Sequence, residues 1–181
     1  MPEKSLKNKK IVMVIALKGF RDEEYFIPKQ ILESAGAYIQ TASTERGIAV
    51  GSNGGDTNVD LLISDVNPKK IDALIFVGGI KCLKYLDNEI SYQLIRKTIG
   101  ENKILASICI SPVILSKSGA LDGKRATVWS SPLEKGAVRI LQENEAIYEN
   151  KPVVKDGKII TADGPPAAKQ FAETIIKTLE Y

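Results

Sequence analysis

Ser107-Ile108-Cys109-Ile110-Ser111 sets a thiol between small residues two positions to either side. That is the form of a nucleophile elbow, in which small flanking residues let a strand turn sharply into a helix and leave the reactive side chain at the turn. Free backbone amides and the positive end of a helix dipole stabilise a thiolate there. The expectation is a Cys109 thiol drawn below its ordinary value near about 8.5. The plainer alternative is a buried cysteine serving as a small apolar residue. Glu24, just after the first apolar run, and Gly78-Gly79, just after a central one, complete the set of residues placed for chemistry. In open α/β sheets such sites gather outside the carboxyl ends of the strands.

The chain holds no histidine among its 181 residues. Every Cys-His or Ser-His pair is thereby excluded, including one completed between copies of the chain, because each copy lacks the residue. Two cysteines, Cys82 and Cys109, are too few for a disulfide framework or, without histidine, for a four-ligand structural zinc site. No metal and no cofactor are expected. The balance of 25 Lys+Arg against 22 Asp+Glu, a net charge of +3, announces neither a nucleic-acid nor a membrane partner.

These residues need elements to hold them. Residues 1–10, rich in lysine, read as a solvated tail, and 11–181 as a single domain. Ile11 to Leu17 reads as a buried strand rather than the core of a signal sequence, since Lys18 and the charged run Arg21 to Glu24 stop it. No stretch approaches the roughly 20 apolar residues that span a bilayer, and a reducing cytoplasm is the expected setting. Glu23 to Ala35 has helical spacing with Gly36 as its stop. Ala73 to Val77 and Ile104 to Ile108 are continuous apolar runs, the mark of central strands buried on both faces. Gly47 to Asp60 reads as a loop around a glycine cluster, Val153 to Ile160 as a hairpin turning at Asp156-Gly157, and Pro165 to Leu179 as a closing amphipathic helix. Alternating strands and helices argue for an α/β fold with a mostly parallel sheet covered on both faces and one added hairpin.

Asp72 to Gly79, Ala106 to Pro112, Gly119 to Thr127, and Glu24 with Pro28 together resemble the ThiJ/PfpI superfamily, related to class I glutamine amidotransferase domains. The likeness runs from about Ile11 to Leu179. It implies a flavodoxin-like three-layer sandwich, a homodimer or higher homo-oligomer, and a site in which Cys109 is the reactive cysteine and Glu24 its acidic contact. The backbone amides of Gly79 and Ile110 match the oxyanion hole. Peptidases of the superfamily carry a histidine right after the nucleophile, where this chain has Ile110. Cys109 to Pro112 is closer to the deglycase branch, in which a histidine from a later strand approaches the cysteine; by approximate alignment Trp129 stands in its place.

A carboxyl in contact with a thiol should share one proton with it, the thiol falling and the carboxyl rising. Expelling an amine needs an acid, a role usually given to histidine and contributing about 10²- to 10⁴-fold. Weak or absent peptidase activity is expected. Addition of Cys109 to an aldehyde has no leaving group, so glyoxalase- or deglycase-like chemistry on a small-molecule carbonyl substrate fits better. A sensor in which Cys109 is oxidised is the competing class. Gly78, Trp129, Asp163 and Gly164 are placed to line the pocket, though a lone Trp is equally at home in a core or an oligomer interface. Cys82 reads as a partly buried helix residue rather than a resolving thiol.

Overall fold

The computed structural model describes residues 5–181. The elements run β1 (Lys10–Val14), β2 (Lys18–Phe20), α1 (Asp22–Ser34), β3 (Tyr38–Ser43), β4 (Gly47–Gly51), β5 (Asp56–Val59), β6 (Leu61–Leu62) and β7 (Ala73–Phe76). They continue with α2 (Cys82–Leu86), α3 (Glu89–Gly100), β8 (Ile104–Ile108), α4 (Pro112–Lys117), β9 (Arg125–Ala126), α5 (Gly136–Glu143), β10 (Ile147–Tyr148), β11 (Val153–Asp156), β12 (Ile159–Ala162) and α6 (Ala168–Leu179). The main sheet has seven strands in the order β11-β12-β8-β7-β1-β3-β6. Only the β11–β12 hairpin is antiparallel in it.

Every residue of β7 and β8 is buried, because helices cover both faces. Strand alternation sorts their side chains into two apolar cores. Met13, Ile75, Ala106 and Ile160 pack with Tyr25 and Leu32 of α1 and with Phe171 and Ile175 of α6. Val12, Leu74, Phe76 and Leu105 pack on the opposite side with Leu86, Leu94, Ile95, Val113 and Leu141, from α2 to α5. This is the expected α/β sandwich, with the site where β1, β7 and β8 end.

Three expectations change. The tail is not solvated throughout: Leu6 is fully buried and its N–H donates to Ala35 O at 2.9 Å. A single leucine among lysines joins the apolar cluster that holds Ile11, Leu32 and Ala37. Residues 1–4 of that tail lie outside the described residues. The stretch from Gly47 is not a loop but the antiparallel pair β4–β5, with the glycine cluster as its turn. Asp22, at the start of α1, holds that turn by accepting from Asn53 N at 2.8 Å and Gly55 N at 2.7 Å. Finally, the spacing from about Pro132 to Gln142 reads as a helix, but α5 starts only at Gly136, so Pro132 and Leu133 precede it.

Candidate active site

β8 ends at Ile108, and Cys109 takes φ +66°, a left-handed conformation that non-glycine residues seldom adopt. Such a conformation costs on the order of 1–3 kcal/mol and persists where neighbouring contacts over-determine it. Here Cys109 N–H donates to Ala162 O at 2.8 Å, while Cys109 O accepts from Trp129 N–H at 2.8 Å. Ser111 Oγ lies 2.8 Å from Ser107 Oγ and accepts from Ile108 N–H at 3.1 Å. Phe76 O and Ile108 O lie 2.9 and 2.8 Å from the same hydroxyl. The small residues flanking the cysteine thus brace the turn with their hydroxyls as well as making room for it.

Glu24 is fully buried in the first turn of α1. Its Oε2 accepts from Gly78 N–H at 3.0 Å, and the carboxyl faces the Cys109 thiol. Burial raises Glu24 from 4.5 to about 7, against the opposing pull of the Cys109 and Gly78 hydrogen bonds and the Arg21 charge. Burial also pushes the Cys109 thiol up, and the facing Glu24 carboxylate adds to it; Ile110 N–H pulls the other way. The carboxyl therefore rises as the sequence suggests, but the thiol does not fall. Desolvation outweighs what the helix start offers.

Gly78 admits no side chain. A Cβ there would stand 2.6 Å from Glu24 Oε2, 2.7 Å from Cys109 Cβ and 2.8 Å from Ile108 O. Gly78→Ala is expected to cost about 1–3 kcal/mol of stability through overpacking and to part the carboxyl from the thiol, read as a lowered denaturation midpoint together with lost turnover. Gly79 has φ +133°, and a Cβ on it would sit 2.4 Å from Gly19 O. Among the described residues, neither Gly79 N–H nor Ile110 N–H donates to a backbone or side-chain oxygen.

A cavity of about 420 Å³ opens over the thiol. Cys109, Glu24, Gly79, Ile110 and Trp129 line it, bringing together most of the residues singled out from the sequence. Gly78 lies beneath, as the donor to Glu24. Asp163 and Gly164 do not line the cavity, whereas Pro165 does; Asp163 N–H donates instead to Pro152 O at 3.0 Å. Cys82 lies in α2 as expected but is fully rather than partly buried, its thiol 3.5 Å from Val77 O. Arg21, Ile80 and Leu83 also line the cavity and were not foreseen. Arg21 was legible as the residue preceding the first turn that carries Glu24, whereas nothing local marks Ile80 and Leu83.

Among the described residues, no group of three or more His, Cys, Asp or Glu side chains gathers to hold a metal ion, and no helix is long and apolar enough to cross a membrane. A parallel sheet with a cysteine on a strand-to-helix elbow, met by a glutamate from the first helix, defines a cysteine-centred α/β class. The sequence profile of the DJ-1/PfpI family matches residues 9–178, and the chain belongs to that family. It is 41% identical over 177 residues to an uncharacterised protein of Methanocaldococcus jannaschii, covering 97% of this chain and 85% of that one. It is 28% identical to Deglycase PfpI of Pyrococcus furiosus, covering 93% and 99% of the two chains. The crystal structure of a ThiJ/PfpI domain protein from Brachyspira murdochii superposes with a TM-score of 0.90 at 35% identity, covering 96% of this chain and 97% of that one.

Proposed function

We propose that this protein acts on small reactive carbonyls through Cys109 and Glu24, in the manner of a glyoxalase or deglycase. The observation that carries the reading is a strained cysteine facing a buried carboxyl that titrates near neutrality, in a chain with no histidine. Relatives named deglycases support it.

The chemistry follows from the pair. The Glu24 carboxylate takes the thiol proton as sulfur bonds to the aldehyde carbon. The C=O π pair moves to oxygen, which the Gly79 and Ile110 amides receive and Glu24 then protonates. The result is a hemithioacetal, with no group expelled. For a 2-oxoaldehyde, Glu24 next removes the hydrogen from the sulfur-bearing carbon and returns it to the neighbouring carbon, while the hydroxyl proton passes to the neighbouring oxygen, leaving a thioester that carries a 2-hydroxyl group. Water cleaves the thioester to a 2-hydroxy acid and restores the thiol. The proton transfers fall on adjacent substrate atoms, where a single general acid-base group can act. Each oxyanion donor would contribute on the order of 10²- to 10³-fold.

The test is methylglyoxal consumption with stoichiometric lactate formation, run beside casein hydrolysis. Lactate without peptide cleavage is expected. Peptide cleavage without lactate would reverse the assignment.

A further inference from the structure

We infer that Arg21 selects the substrate of this cavity, and that the carbonyl compound it selects carries a carboxylate at the far end of an apolar chain. The inference rests on the proposed carbonyl chemistry of Cys109.

Among the described residues, three ionisable side chains line the cavity: Cys109, Glu24 and Arg21. The first two belong to the reaction, which leaves Arg21 as the one fixed positive charge among otherwise neutral walls. Its backbone is tied to the nucleophile's own support, since Arg21 N–H donates to Gly78 O at 3.0 Å. Its Nε stands 2.9 Å from Glu23 Oε2. Among the described residues its two terminal nitrogens make neither a hydrogen bond nor an ion pair. The ion pair at Nε leaves the two terminal nitrogens available as a planar fork, the geometry that receives a carboxylate bidentately. Glu23 is partly solvated, so its repulsion of an incoming anion is screened.

Methylglyoxal would leave this fork unused. It would also leave much of a 420 Å³ cavity walled by Ile80, Leu83, Trp129 and Pro165 unfilled. An oxoaldehyde with a short apolar chain ending in a carboxylate uses all three features at once.

The experiment compares 4,5-dioxopentanoate with its methyl ester in the wild type, Arg21→Met and Arg21→Lys. The wild type should show a kcat/KM about tenfold higher for the acid, the size of one charged hydrogen bond at a half-exposed site. The acid-to-ester ratio should fall to near one in Arg21→Met and be partly kept in Arg21→Lys. A ratio near one in the wild type, or one unchanged in Arg21→Met, overturns the inference. Failure to consume either compound counts against the carbonyl chemistry itself, so recognition is also read without turnover. Iodoacetamide alkylation of Cys109, followed by intact mass, is measured with 4-oxopentanoate or its methyl ester present. The acid should protect at about tenfold lower concentration in the wild type and lose that advantage in Arg21→Met; equal protection, or none, overturns the assignment.

Discussion

Cys109→Ser should abolish methylglyoxal turnover, lowering kcat/KM by at least about 10³-fold, while the folded state survives. The two expectations come from different links of the chain. Serine fits the elbow: the bonds that fix φ +66° run through the backbone, from Cys109 N–H to Ala162 O and from Trp129 N–H to Cys109 O, and neither involves sulfur. A hydroxyl, however, is far less acidic than a thiol, and a carboxyl poised at about 7 cannot take its proton to useful extent. Lactate formation should vanish with circular dichroism and denaturation midpoint close to the wild type. Undiminished turnover would remove Cys109 from the reaction, since Cys82 is fully buried and cannot stand in.

What the sequence disclosed and what it withheld divide along a physical line. β7 and β8 were legible because a strand buried on both faces must be apolar throughout. The elbow was legible because a sharp turn admits only small neighbours at Ser107 and Ser111. Both are local demands written on local residues. β4 and β5 were missed because a glycine-rich turn dominates the composition of a short edge hairpin, and the carboxylate that anchors it, Asp22, lies some 30 residues earlier in the chain. Leu6 was missed because one leucine among lysines has no periodicity to announce it. The thiol's direction was misjudged for the same reason. A helix start is visible in sequence, but the burial that outweighs it is set by residues brought to the thiol from distant parts of the chain, Glu24 of α1 and Gly78 among them. The carboxyl's direction agrees with the sequence reading, but its cause is burial, which outweighs the downward pull of the Cys109 and Gly78 hydrogen bonds.

Glu24→Gln should lose turnover and gain stability, with the gain building up across one pH window and persisting above it. The folded state raises Glu24 from 4.5 to about 7, so between those values it holds a proton that the unfolded chain has released. Stability of the wild type therefore falls as pH rises through that window and levels off above about 7. The shift corresponds to about 3 kcal/mol. Glutamine keeps an oxygen for Gly78 N–H and carries no charge to bury, so the variant escapes this loss. Denaturant unfolding should give a stability difference in favour of Glu24→Gln that grows by about 3 kcal/mol between pH 4.5 and 7.5, because the remaining carboxylates titrate alike in both proteins and cancel. Turnover should fall by about 10²- to 10⁴-fold, the share of an acid-base group. The same substitution removes the carboxylate that pushes the thiol up, so Cys109 should ionise more readily and react faster with iodoacetamide even as turnover collapses. That opposition separates proton transfer from thiol activation. A variant that lost turnover and alkylated more slowly would make Glu24 a base that activates the thiol and nothing more, whereas faster alkylation with lost turnover assigns it the later proton transfers at the carbonyl carbons.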